Sequence, residues 1–389
     1  MMPSMAKFLR RWGLPFLGLL LPSCLLASPT FGPLNMPVGV TPLSREIYQL
    51  HMTMFYICCG IGVAVFGVLF YSLYKYRRSK GAVAQELHEH PLIEAAWTII
   101  PFIILVIIAI PASRVLYLSK NSDNPQLTVK VVGYQWRWRY AYLDQGIDFF
   151  SNLSTPQDQI YGNAPKNPHF LLEVDHPLVV PIHEKIRFLI TSNDVVHSWW
   201  VEALGIKQDA IPGYINDVWA YIEKPGTYRG QCTALCGAGH GFMPIVVKAV
   251  SQSEFNRWVR QQQQLANDHV KASHKQYSSA ELIQLGHSAY DKNCAQCHQP
   301  NGQGVPPAFP AIAGSHVATG PMASHINLVL HGVSGTAMQA FGSQLDDLTI
   351  AAILTYQRNA WGNATRTQQA HHRLVIEPAD VAKARQSVA

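Results

Sequence analysis

Two long apolar runs constrain this chain more than any other feature in it. The first extends from about His51 to Tyr74 and the second from about Ile93 to Leu118. Each exceeds the ~20 residues an α-helix needs to cross a bilayer. Hydrocarbon offers the backbone no water to bond, so such runs must close their hydrogen bonds internally, as helices do. Between them lies the basic segment Tyr74-Lys-Tyr-Arg-Arg-Ser-Lys80, which the excess of positive charge on inner loops places in the cytoplasm. Both outer ends of the hairpin, and the mostly hydrophilic remainder of the chain, then face the other side. The net charge of +6 has the same origin. Its lysines and arginines concentrate at Lys7, Arg10, Arg11 and at Lys75, Arg77, Arg78, Lys80, beside apolar segments. That is membrane topology and not a nucleic-acid face, so no nucleic acid is expected as a partner.

Around the hairpin the 389 residues divide by pattern. Residues 1–28 read as a secretory signal, with Arg10-Arg11, an apolar segment from Gly13 to Leu21 and small residues after it. Cys24 is a lipidation candidate. Cleavage near Ala27 or Ser28 is the rival, because Pro22 fits a lipidation site poorly. Residues 29–120 hold the transmembrane hairpin. Over 121–260 the pattern turns to strands: Leu127-Thr-Val-Lys-Val-Val, His169-Phe-Leu-Leu-Glu-Val, Lys185-Ile-Arg-Phe-Leu-Ile and Met243 to Val250 are rich in β-branched residues and punctuated by Pro, Gly and Asp. Several short strands predict an all-β sandwich or barrel. Residues 261–278, opening with four glutamines, have no apolar period and read as a linker or the fringe of a helix. The seven cysteines fall as Cys24, the pair Cys58 and Cys59 in the first span, and two further pairs, which is not a disulfide framework.

One of those pairs lies in Cys232-Thr-Ala-Leu-Cys236-Gly-Ala-Gly-His240-Gly-Phe-Met243. Thiolate and thioether are soft donors and, with imidazole, favour copper or zinc over magnesium or calcium. A zinc knuckle would offer Cys-x-x-Cys pairs and four strong ligands. This cluster has three strong donors and one weak one, so another strong ligand must come from elsewhere, and His197 in Asn193-Asp-Val-Val-His-Ser-Trp-Trp200 is the candidate. Two bridging thiolates, two terminal histidines and a weak axial Met suit a pair of coppers better than one ion.

With Asp194-Val-Val-His197-Ser-Trp, Lys207-Gln-Asp-Ala-Ile-Pro-Gly213 and the Cys232 to Met243 motif, residues from about 45 to 260 resemble subunit II of the haem–copper cytochrome c oxidases. The resemblance implies a cupredoxin Greek-key domain and a dinuclear copper A centre. Cys232 and Cys236 would bridge the coppers, His197 and His240 would each bind one, and Met243 and the backbone carbonyl of Ala234 would be axial. It also implies that Trp136, in Tyr134-Gln-Trp-Arg-Trp-Arg-Tyr140, accepts electrons from a cytochrome. Glu94, in Ile93-Glu-Ala-Ala-Trp-Thr-Ile-Ile-Pro101, would stand at the mouth of a proton-uptake channel into subunit I; as a residue alone, it also reads as a helix-start acid favoured by the macrodipole. Two departures stand out. The family's Glu is Ala234 here, so the magnesium or manganese ion which that side chain binds with subunit I is expected to be altered or absent. Arg137 and Arg139 replace the family's usual Tyr and Ser, putting positive charge where a donor docks.

The second cysteine pair forms Cys294-Ala-Gln-Cys297-His298, the Cys-x-x-Cys-His pattern of covalent c-type haem attachment. The thiols add to the haem vinyl groups and His298 becomes the proximal iron ligand. With the helix-like stretch Ser279 to Tyr290 before it and Asp346 to Trp361 after it, residues 279–365 resemble a class I cytochrome c domain. The family places its axial methionine just before the last helix, where this chain has Met338; Met322, His325 and His331 are the competitors for the sixth position. The tail, 366–389, carries no functional signal.

The expected fold is therefore multidomain: a transmembrane α-helical hairpin, an all-β cupredoxin-like Greek-key domain and an all-α cytochrome c domain. The expected function is subunit II of a cytochrome c oxidase in a bacterial inner membrane, with copper and haem domains on the periplasmic side. Electrons from a c-type cytochrome or other periplasmic donor would pass through haem c and copper A to the dioxygen-reducing, proton-pumping subunit I, with other oxidase subunits as partners. A quinol oxidase subunit would lack Cys232, Cys236, His197 and His240. A copper carrier or assembly factor would need neither haem nor Glu94. A nitric oxide or nitrous oxide reductase component is chemically closer, and the neighbouring catalytic subunit would distinguish it.

Overall fold

The structure is a computed structural model that describes residues 35–83, 89–273 and 276–386. The signal expected over 1–28, Cys24 included, lies outside the described residues. The described residues form two compact units: those up to Leu118 with Glu202–Gly205, and those from Ser119 to Val201 and from Ile206 onward.

The first unit holds helices α1 (Pro42–Lys75) and α2 (Pro91–Lys120). Helix α1 starts cleanly because Thr41 and Ser44 cap each other's backbone N–H groups, a reciprocal box that satisfies two otherwise orphaned donors. Pro42 follows, where its missing N–H costs nothing. At 1.5 Å per residue, 34 and 30 residues reach roughly 50 and 45 Å, more than the ~30 Å of a hydrocarbon core. Their large apolar side chains, Phe66, Phe70, Phe102 and Leu105 among them, point outward and exposed. Such faces are stable against lipid, not water, so the protein is membrane-anchored.

The second unit begins with two five-stranded sheets, ordered β3-β2-β1-β5-β8 and β4-β10-β9-β6-β7. The strands are β1 Leu127–Tyr134, β2 Arg137–Tyr142, β3 Ile147–Ser151, β4 Leu178–Pro181, β5 Lys185–Ser192, β6 His197–Val201, β7 Ile206–Ala210, β8 Asn216–Tyr221, β9 Gly226–Cys232 and β10 Ile245–Val250. Strand β5 alternates buried and half-buried residues, the period-two signature of a strand with one face on a core. The sheets meet through aromatic side chains. Phe188 of β5 packs on Trp199 of β6 with ring centroids 5.1 Å apart, and Tyr142 of β2 donates its hydroxyl to the Val179 carbonyl of β4 at 2.7 Å. The stretch His169–Val174, expected as a strand, is instead a turn with a single bridge, Leu153 to Val174. Leu171 there has a φ of 59° and its N–H is taken by the Thr155 hydroxyl, so no ladder can run through it.

Helix α3 (Gln252–Ser273) follows, so the segment read as a linker from 261 continues a helix as far as 273. The cytochrome c domain holds α4 (Ser279–Asn293), α5 (Met322–His331), α6 (Asp347–Asn359) and α7 (Pro378–Gln386). Helices α4 and α6 cross so closely that a Cβ on Gly286 would lie 1.9 Å from the Ala352 carbonyl oxygen. The tail is part of this core: Ile376 and Val381 are fully buried against Ile326, Leu330, Ile350 and Leu354. Arg385 of α7 donates to Asp347 and to the carbonyls of Gly342 and Leu345, tying down the loop after Met338. The hairpin, cupredoxin-like β domain and helical cytochrome domain are the fold class expected from the sequence.

Candidate metal centres

The first centre is built where β9 ends and β10 begins. Strand β9 delivers Cys232, the loop brings back Cys236, and a single helical turn at His240–Phe242 returns the chain through Met243. The sulfurs of Cys232 and Cys236 stand 3.8 Å apart, unjoined. Around Cys236 Sγ lie His240 Nδ1 at 3.5 Å and Met243 Sδ at 3.6 Å. The Ala234 carbonyl oxygen is 3.4 Å from Cys232 Sγ. His197, first residue of β6, is fully buried and completes the group: a ring nitrogen of His197 and the two sulfurs lie within 4.8 Å of one another. Its Nε2 is held by the Asp194 carboxylate at 2.8 Å, while Nδ1 is buried with no hydrogen-bond partner.

That orphaned nitrogen tests whether a metal fits. A buried polar atom without a partner is costly, and a second-shell carboxylate fixing the other ring nitrogen is the usual support of a metal-bound histidine. The sulfurs give a second test. The hydrogen bond from Cys236 lowers the pKa of Cys232, and the Cys232 sulfur, with burial, raises that of Cys236. A second negative charge beside the first is opposed, and a cation bound to both sulfurs would relieve that opposition. The donor set and its electrostatics fit soft metal ions.

The second centre is a cavity of about 520 Å³ in the helical domain, lined by Cys294, Cys297, His298 and Met338. His298 Nδ1 bonds the Pro310 carbonyl at 2.8 Å, leaving Nε2 as the ring's remaining donor atom, and burial lowers its pKa, which favours the neutral ligand form. Of the competitors for the sixth position, Met322 and His331 do not line the cavity. His325 does; Gln357 holds its Nε2 at 2.8 Å while its Nδ1 is buried without a partner, so it stays a rival to Met338. Two attachment thiols, a neutral imidazole and a thioether around one cavity fit a covalent haem.

Between the centres stand residues whose contacts the sequence does not announce. Trp136, 5 % exposed, donates its indole N–H to the Cys236 carbonyl at 3.0 Å and meets Phe309 edge-on at 6.2 Å. Phe309 lines the haem-sized cavity, as does Gln135, whose side-chain amide also donates to the Cys236 carbonyl, at 2.9 Å. Arg137, expected to put positive charge where a donor docks, is buried, and burial lowers its pKa to about 10, so it remains a cation at neutral pH. Arg139 pairs with Asp148. Glu94, at the start of α2, accepts from the His90 N–H at 2.9 Å.

Fold and donor sets together define a membrane-anchored redox subunit: a cupredoxin-like domain with a cytochrome c domain appended. Residues 127–250 match the cytochrome c oxidase subunit II periplasmic domain, residues 29–115 its transmembrane domain, and residues 281–356 the family of the cbb3-type cytochrome c oxidase subunit III. A probable cytochrome c oxidase subunit 2 of Rickettsia bellii is 38 % identical over 62 % of this chain and 89 % of its own length. Cytochrome c oxidase subunit 2 of Arabidopsis thaliana is 38 % identical over 58 % of this chain and 87 % of its own. The crystal structure of the periplasmic domain of cytochrome oxidase subunit II of Bradyrhizobium japonicum is 40 % identical, covering 37 % of this chain and 97 % of that one at a TM-score of 0.33. The chain belongs to the cytochrome c oxidase subunit II family and carries a fused C-terminal cytochrome c domain.

Proposed function

We propose that this subunit carries a dinuclear copper A centre and a covalent haem c, and relays electrons from a periplasmic c-type cytochrome or similar donor to subunit I of its oxidase. Cys232, Cys236, His197, His240, Met243 and the Ala234 carbonyl would hold the copper; Cys294 and Cys297 would attach the haem, with His298 and Met338 as axial ligands. Copper held by Cys232 and Cys236, and haem iron held by His298 and Met338, would each supply a one-electron carrier, and methionine ligation would raise the haem potential.

The chain's own residues do the rest. Asp194 holds the His197 ring by Nε2, leaving Nδ1 for the metal, and the Pro310 carbonyl holds the His298 ring by Nδ1, leaving Nε2 for the iron. Strands β9 and β10, neighbours in one sheet, flank the ligand loop and keep the donor atoms in place, so little has to reorganise when the charge changes. Trp136 and Gln135 join the wall of the haem cavity to the Cys236 carbonyl through packed rings and hydrogen bonds. Tethering the cytochrome makes its encounter with the copper domain intramolecular. Dioxygen reduction and proton translocation would belong to subunit I, with Glu94 receiving protons on the cytoplasmic side of a bacterial inner membrane.

The observation that carries this reading is the buried, unpartnered Nδ1 of His197 beside two unjoined sulfurs 3.8 Å apart. Metal and haem analysis of the full chain tests it. The expected result is two coppers and one haem per chain, with Cys232→Ser losing copper and keeping haem. Haem without copper in the unmodified chain would overturn it.

A further inference from the structure

Arg137, which opens β2, has only 6 % of its surface exposed. Its guanidinium donates to Asn293 Oδ1, one residue before Cys294, and to Gln344 Oε1. It also lies 4.1 Å from the ring centroid of Phe150 and 5.5 Å from that of Phe341. Asn293, Gln344 and Phe341 belong to the cytochrome domain; Phe150 belongs to β3. Among the described residues Arg137 makes no ion pair. Burying a cation against neutral partners forfeits hydration, so this arginine serves the join between the domains and not a free surface. A second tie runs beside it: the Gln339 side chain, next to Met338, donates to the Gln135 carbonyl at 2.5 Å. The two ties bracket Trp136 and the Phe309 ring that rests on it.

We propose that Arg137 is a positioning residue: it clamps the cytochrome domain onto the β domain, holding the Phe309 wall of the haem cavity on Trp136 and closing that indole to external proteins. This rests on the relay reading above for its purpose, though not for its geometry. An external donor then delivers its electron to the cytochrome domain and does not reach Trp136 directly.

The test uses the full chain in its oxidase, with Arg137→Ala, Arg137→Lys and the milder Gln344→Ala. Hydrogen exchange is read over 134–138 and 305–311, together with copper and haem content and the rate of electron transfer after flash photoreduction of the haem. Losing two hydrogen bonds from a charged donor, offset in part by relief of the buried charge, should speed exchange in both segments by at least about 10-fold in Arg137→Ala, and less in the other two. Transfer should slow in the same order while copper and haem content hold. Unchanged exchange in Arg137→Ala and Gln344→Ala would overturn the clamp, as would a rise spread equally through β1 and β5. If Arg137→Ala does not accumulate, Gln344→Ala decides. Absence of copper from the unmodified chain would instead refute the relay reading, and the exchange data would still judge the clamp.

Discussion

Replacing Gly239 by alanine should displace Trp136 without touching a ligand. Gly239 has an ordinary φ of −93°, so the backbone accepts a side chain and the effect is purely steric. The new methyl would stand 2.3 Å from Cδ2 and 2.5 Å from Cγ of Trp136, where ordinary contact begins at 3.4 Å, so the indole must retreat by about 1.1 Å. It cannot do so freely, because its N–H is pinned to the Cys236 carbonyl and Phe309 lies against it. Overpacking costs about 1–3 kcal/mol and a lost hydrogen bond about 0.5–1.5, giving roughly 2–4 kcal/mol. For a unit of this size that lowers Tm by roughly 5–10 °C. The Cys236 carbonyl keeps its bond from Gln135, so copper should still bind while electron transfer slows. Gly241→Ala is the control, since a Cβ there meets nothing within 4 Å and should stay within about 0.5 kcal/mol of the parent. Thermal unfolding of both variants, with flash-induced transfer rates, decides the matter. If Gly239→Ala behaves like Gly241→Ala in both assays, the account of Trp136 is wrong.

Other outcomes follow from the same coordinates. Gly286→Ala sets a methyl 1.9 Å from the Ala352 carbonyl oxygen, a backbone atom that cannot turn away, so the α4–α6 crossing should open and the cytochrome domain lose about 1–3 kcal/mol, measurable as a drop in haem-bearing protein and in the temperature of haem release. The Asp175 carboxylate raises the pKa of His176 above its usual value. Its contribution is complete below the unfolded value of about 6.5 and fades as pH rises through the folded one. With the His176 side chain 52 % exposed, that slope should stay under about 1 kcal/mol, and denaturant titrations across this range should show it vanish in His176→Asn. Ala234 offers no carboxylate, so metal analysis of the purified complex should find no stoichiometric magnesium or manganese at the interface with subunit I, and Ala234→Glu should restore it.

The sequence announces both proposed ligand sets because they are local: four proposed donors of one centre lie between Cys232 and Met243, and three proposed haem contacts between Cys294 and His298. Even His197, distant in the chain, sits in a recognisable motif. What stays hidden is what joins distant segments. Nothing in the residues around Trp136 points to Phe309 or to the Cys236 carbonyl, and an arginine in an aromatic strand reads as surface charge until its burial is seen. The segment at 169–174 has the apolar residues of a strand, but its N–H groups go to the turn carbonyls of Asn167 and His169 and to the side chains of Asn167 and Thr155. The helix running on to 273 is polar on average, and what anchors it is its first turns, where Phe255 and Trp258 pack on Tyr142.

Electron paramagnetic resonance of the oxidised full chain tests the central claim most directly. Two coppers sharing one unpaired electron between Cys232 and Cys236 should show hyperfine coupling to two equivalent copper nuclei, lost in Cys236→Ser. Coupling to a single copper nucleus in the unmodified chain, or a copper-free spectrum of haem alone, would contradict it.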